Sequence, residues 1–241
     1  MILLLMSGSC FAQWSIAPGF GLVKASVIDK DFSAVPFTGV VPGASISLSH
    51  EGDRCTHALS FHYVWGSLKM SNQEEYKATA KYFDAAYTWL HKFGAAGATW
   101  TGGAGGGLQV LYNHRSYSGI INNNASFDLA ASLALAGALT YSFNNVWSLS
   151  DQAGIPLGSW LIHPSYGEES AISSLSGADN RQKIAGFSSF LRLKNTMSLN
   201  RQLSSGGTLC LAYSWDYYRI NDLREVRQAV HSLGIIYRLT L

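Results

Sequence analysis

The sequence predicts an all-β protein: a transmembrane antiparallel up-and-down β-barrel of about ten strands, forming one domain over residues 13–241. Three observations predict it. Charged residues make up only 13% of the chain, about half the roughly 25% usual in soluble domains. From Trp14 onward, segment after segment alternates apolar and small or polar residues with the period of 2 that a strand imposes. No apolar run after the N-terminus reaches the roughly 20 residues a spanning helix needs, so the hydrophobicity is carried in alternation, as in membrane barrels.

Residues 1–12 read as the end of a secretory signal peptide. Ile2 to Met6 form a short apolar core, and small residues at Cys10 and Ala12 allow cleavage before Gln13. The first strand spans about Trp14 to Ser26, with Trp14, Ile16, Phe20 and Leu22 on one face and Ser15, Ala17, Gly19 and Gly21 on the other. The second, about Val40 to His50, sets Ala44, Ile46 and Leu48 against Ser45, Ser47 and Ser49. The third, about His57 to Met70, turns Leu59, Phe61, Tyr63 and Trp65 outward and Ser60, His62 and Gly66 inward. The fourth, about Thr79 to Leu90, opposes Phe83, Ala85, Tyr87 and Trp89 to Tyr82, Asp84, Ala86 and Thr88. The fifth, about Thr99 to His114, is glycine-rich between Gly102 and Gly107.

The sixth strand, about Phe127 to Phe143, is the most regular: Leu129, Leu133, Leu135 and Leu139 lie opposite Asp128, Ser132, Ala136 and Thr140. The seventh, about Val146 to Leu161, places Asp151 on its apolar face, and Gly154 and Pro156 suggest a bulge. The eighth, about Ala185 to Leu199, turns Arg192 and Lys194 inward. The ninth, about Thr208 to Arg219, turns Cys210, Asp216 and Tyr218 inward. The tenth, His231 to Leu241, places Leu233, Ile235, Tyr237 and Leu239 outward and Arg238 inward. An eight-strand alternative demotes the first or seventh segment to a loop. Connections at 51–55, 91–98, 144–145 and 200–207 read as tight turns, and those at 27–39, 71–78, 115–126, 162–184 and 220–227 as longer loops on the opposite side. Tyr63, Trp65, Trp89, Trp100, Tyr141, Trp147, Trp215 and Tyr217 fall near strand ends on outward faces, where interfacial aromatic girdles sit.

Small barrels have interiors filled by side chains. Here the expected interior is small and polar, with Asp84, Asp128, Arg192, Lys194, Asp216 and Arg238 as a lumenal charge network. Counting back from the 200–207 turn puts Arg192 nearly opposite Asp216, with Lys194 one inward position away. A buried charge needs such a partner, and the set reads first as a salt-bridge plug, second as a polar path for a small anion or sugar. His62 and Asp84 project inward from adjacent strands, with Ser60 one inward step away. These are the ingredients of a nucleophilic triad, although Ser is the common inward residue of the chain. The functional expectation is a non-catalytic barrel, either a narrow porin-like conduit or a structural or accessory subunit of an envelope complex. A hydrolase using His62 and Asp84 is the alternative, and a soluble lipid-binding barrel ranks last. No cofactor or metal motif is present: Gly102–Gly107 opens no helix and carries no Lys-Ser or Lys-Thr. A net charge of +2 without clustered Lys and Arg offers no nucleic-acid footprint. Expected partners are outer-membrane lipid or lipopolysaccharide, and other envelope proteins through the 162–184 loop. Cys55, in a turn, and Cys210, on an inward face, could pair in an oxidising envelope, although their placement gives no positive reason to expect it.

Phe11-Ala-Gln13, the ten alternating strands, Ser214-Trp-Asp-Tyr-Tyr-Arg219 and the terminal Tyr237-Arg-Leu-Thr-Leu241 together resemble the small outer-membrane barrels of Bacteroidota. The terminal strand also resembles the one by which bacterial outer-membrane barrels are recognised for insertion. This resemblance implies a fold and a bacterial outer-membrane location, and it supplies no site residues.

Overall fold

The computed structural model describes residues 13–30, 32–71, 73–94, 97–118, 125–163, 182–204, 206–221 and 225–241; the signal peptide expected at 1–12 lies outside them. Its strands are β1 (Gln13–Asp29), β2 (Ser33–Glu51), β3 (Cys55–Met70), β4 (Gln73–Phe93), β5 (Trp100–Ser118), β6 (Ala125–Ser142), β7 (Trp147–Ile162), β8 (Gln182–Ala185), β9 (Phe190–Gln202), β10 (Thr208–Ile220) and β11 (Val226–Thr240). Successive strands pair antiparallel, except that β8 and β9 both pair with β7, and β1 pairs with β11 to close the ring. The eighth expected strand is broken in two: β8 pairs with the loop end of β7 (Ser159 opposite Ala185) and β9 with its turn end (Gly154 opposite Lys194). β8 and β9 thus form one stave, and the barrel has ten.

Closure carries a stagger. Passing from strand to strand through opposed residues from Gln13 leads through Glu51, Thr56, Leu90, Gly105, Ala136, Gly154, Lys194, Asp216 and Val230 back to β1 at Ala25, twelve residues further on. Such a shear requires strongly tilted strands. The bulge foreseen in the seventh strand is present, where the β6–β7 register shifts between Leu133 and Ala134 opposite Gly158 and Pro156.

The loops expected at 27–39 and 71–78 shrink to 30–32 and 71–72, those at 115–126 and 220–227 shrink to 119–124 and 221–225, and Ile162 and 182–184 belong to strands. Of the 162–184 loop, 164–181 lie outside the described residues. The strands outrun the expectation because their polar outward residues read as loop, while their inward neighbours are buried and hold them in the sheet. Thr38 lies beside buried Phe37, and Lys77 beside buried Ala78. Length contrast between the two ends is therefore confined mainly to 163–181.

The lumen has two halves. Near the turns it is lined by small residues such as Ser15, Ala17, Ser132, Ala134, Ala136 and Ala212, all buried. Toward the loops it holds a hydrophobic core that includes Val23, Phe37, Leu68, Leu111, Leu161, Phe190 and Ile220. The uniformly small and polar interior expected from the sequence is thus correct for the turn side only. On β1 the apolar residues point outward as far as Leu22 and inward from Val23, while Lys24 and Ser26 point out. β3, β4, β5, β10 and β11 invert in the same way, with outward Lys69, Lys81, His114, Arg219 and Arg227 beside inward Leu68, Tyr82, Leu111, Tyr218 and Val226. Below this level the outward faces are almost wholly apolar, with Phe20, Leu22, Leu133, Leu233 and Ile235 each more than half exposed.

Candidate functional site

Polar side chains inside the barrel gather into two clusters. In the first, Arg192 lies between two carboxylates: its Nε donates to Asp216 Oδ1 (3.0 Å), and its Nη2 to Asp216 Oδ2 and Asp84 Oδ1 (2.5 Å each). The Tyr82 hydroxyl donates to Asp216 and receives Arg192 Nη2 at 3.0 Å. Lys194 donates to the other oxygen of Asp84, its side chain still 24% exposed toward the turn-side lumen. Two carboxylates thus face two cations. The register partner of Asp216 is Lys194, while Arg192 stands opposite Tyr218, the reverse of the sequence count.

The second cluster was only partly legible. Asp128, expected to belong with the others, instead binds Arg115 Nη1 (2.5 Å), the Tyr218 hydroxyl (2.6 Å) and His163 Nδ1 (2.7 Å). Arg115 also reaches Ser126 (3.1 Å) and Asp29 (3.2 Å), and Asp29 accepts from Tyr117 (3.0 Å) and Ser126 (2.9 Å). Asn113 donates to Tyr218 and Gln228 at 2.5 Å each. Arg115, Tyr117 and Asp29 lie beyond the strand ends expected at His114 and Ser26, and His163 lies in the expected 162–184 loop. Continuing the period of 2 through Leu111, Asn113, Arg115 and Tyr117, and through Val27 and Asp29, reaches the first three; His163 lies just past the end of β7. Arg238 joins neither cluster and is exposed at the turn-side end.

Among the described residues the second cluster brings the carboxylates of Asp29 and Asp128 to the Arg115 guanidinium, and a protonated His163 imidazole adds a second positive charge beside Asp128. Burial pulls the His163 imidazole down, but its hydrogen bond to Asp128 and that carboxylate's charge outweigh burial and raise its pKa. A raised folded pKa contributes stability that is complete below the ordinary value near 6.5 and lost as pH rises through the folded one. The stability that His163 supplies, read as the difference in urea resistance between the unmodified chain and His163→Gln, is therefore expected to be larger at pH 5.5 than at pH 8.5; a difference that does not change with pH would refute it. At the same end, Glu225 holds Arg219 (2.5 Å), Lys30 (2.6 Å) and Arg227 (2.7 Å).

The triad candidates are not assembled. His62 and Asp84 are register partners, but both Asp84 oxygens are engaged by Arg192 and Lys194. His62 lies edge-on to Tyr82 at 6.2 Å between ring centroids, and Ser60 donates to the Ala86 carbonyl at 3.4 Å. Cys55 and Cys210 are both free.

No family model and no curated protein matches the chain. Solved structures do. The outer membrane protease OmpT from Escherichia coli aligns over 95% of this chain and 97% of its own, at 8% identity and a TM-score of 0.59. The fold is that of an outer-membrane β-barrel. Ail, the attachment invasion locus protein of Yersinia pestis, aligns over 94% of this chain and 99% of its own at 11% identity (TM-score 0.43). An outer membrane channel from Pseudomonas putida F1 aligns over 97% of each chain at 10% identity (TM-score 0.42). At these identities the likeness extends to the fold alone.

Proposed function

We propose that this chain is an occluded outer-membrane barrel that neither conducts nor catalyses, serving as a structural or accessory subunit of the envelope. The observation that carries this reading is the filled loop-side lumen. Arg115, Arg192, Tyr117, Tyr218, Phe37 and Phe190 are each at most 2% exposed, so the space a solute would need is taken by packed side chains. Of the two forms expected from the sequence, this favours the plugged scaffold over the porin-like conduit. Membrane insertion is supported by the inversion of apolar phase, since a bilayer would cover the apolar band and leave the loop-side half, with its inward core, in water. Outward Lys24, Lys69, Lys77, Lys81, Arg219 and Arg227 stand beyond that band, at a height suited to anionic lipid headgroups such as those of lipopolysaccharide. Resemblance to the small barrels of Bacteroidota rests on the strand pattern and the terminal Tyr237–Leu241.

Reconstitution in planar bilayers tests the reading. The folded barrel is expected to be silent, with no stepwise conductance above the bare bilayer; reproducible single-channel steps would overturn it.

A further inference from the structure

Asp151 is a carboxylate on the outward face of β7, inside the apolar band. Its register neighbours are Leu139 on β6 and Met197 on β9, 42% and 46% exposed. It stands two outward positions in from the rim residue Trp147, roughly 10 Å along the barrel axis for a tilted strand. At that depth the hydrocarbon of a bilayer offers no partner, and a lipid-facing charge is costly. The carboxylate does not reach back to the rim, where Arg201 lies over the Trp147 ring at 5.5 Å. It is drawn deeper instead, accepting from Asn195 Nδ2 at 2.7 Å, and Asn195 stands opposite Ala153, one outward step further from the rim. Among the described residues Asn195 is its one hydrogen-bonding partner, which leaves the second carboxylate oxygen and the second amide N–H without one.

The surface beside this pair is unusually low. Ala104, Gly137, Ala153 and Asn195 follow one another across β5, β6, β7 and β9 as opposed residues on the outward face. A Cβ added at Gly137 would meet nothing closer than 3.9 Å. Small residues let backbones approach within a membrane.

We propose that this face is the contact between two copies of the chain within the bilayer, Asn195 of each donating to Asp151 of the other. A two-fold interface requires one patch to complement itself. A donor and an acceptor side by side, each with unused capacity, meet that requirement where, among the described residues, no lipid-facing Lys or Arg lies in the band. The inference rests on the membrane reading above, and the two can fail separately. The purified full chain, in density-matched detergent micelles and in phosphatidylethanolamine/phosphatidylglycerol vesicles, is expected to sediment as a dimer. Asp151→Leu and Asn195→Leu should each weaken self-association roughly tenfold or more without loss of the heat-resistant folded form. In a Cys55→Ser, Cys210→Ala background, Ala153→Cys should cross-link two copies and Ile46→Cys, in the apolar band on the far side, should not. A folded monomer at high protein-to-detergent ratio, a dimer indifferent to both leucine variants, or equal cross-linking from the two cysteines would overturn the proposal. So would a monomer seated on a different protein. A chain that does not enter vesicles would instead refute the membrane reading.

Discussion

Arg192→Met is expected to destabilise the barrel by about 3–5 kcal/mol, the usual cost of removing one partner from a buried ion pair. Arg192 is 1% exposed and joins Asp84 on β4 to Asp216 on β10 across the lumen. Without it two buried carboxylates face each other with Lys194 alone to balance them. Urea titration in vesicles, read by heat-modifiable migration on gels, measures the loss, and a change below about 1 kcal/mol would show that the cluster contributes little. Arg192→Lys should recover only part, because a point charge cannot supply the fork that contacts both carboxylates at once. Combining Arg192→Met with Asp84→Asn and Asp216→Asn should recover more, since it removes the unpaired charges and leaves Lys194 at the wetter side of the lumen.

Gly107→Ala and Gly105→Ala are expected to abolish most of the folded barrel. A Cβ at Gly107 would stand 2.0 Å from the Tyr87 carbonyl oxygen, and one at Gly105 would stand 2.1 Å from that of Trp89. Both oxygens belong to β4, which pairs with β5 along its length, so neither can move aside without opening the ladder. Ordinary overpacking in a core costs about 1–3 kcal/mol while side chains give way; here a backbone must. Gly158→Ala is the control, because nothing lies within 4 Å of its added Cβ. Near-normal yields of heat-resistant protein from the Gly105 and Gly107 variants would contradict the packing described for β5.

Reading the strands depended on residues that repeat locally. Phe127 through Phe143 announces its alternation within a single segment, and Gly154 with Pro156 announces the bulge that the β6–β7 register contains. The inversion on β1 between Leu22 and Val23 was equally present in the sequence. A switch in apolar phase imitates the end of a strand: the expected first strand stops at Ser26 although Val27, Ile28 and Asp29 continue the ladder. That misreading concealed Asp29 and Arg115, and with them the second cluster.

What the sequence by itself determined is the strand count, the outward apolar band and the inward direction of Asp84, Arg192, Lys194 and Asp216. Each follows from period 2 and short-range register. Only the tertiary structure decided which of these charges meet. Asp84 and Arg192 are 108 residues apart, and they come together through the twelve-residue stagger of ring closure, a property of all ten staves that no single segment encodes. Asp128 takes its partners from the strands on either side of it, Arg115 on β5 and His163 at the end of β7, and so stands apart from the group it is expected to join. The pairing of β7 with β9 across the 162–184 connection sets Asp151 beside Asn195 on the outer wall, where a carboxylate misplaced by the logic of one strand gains its partner from another.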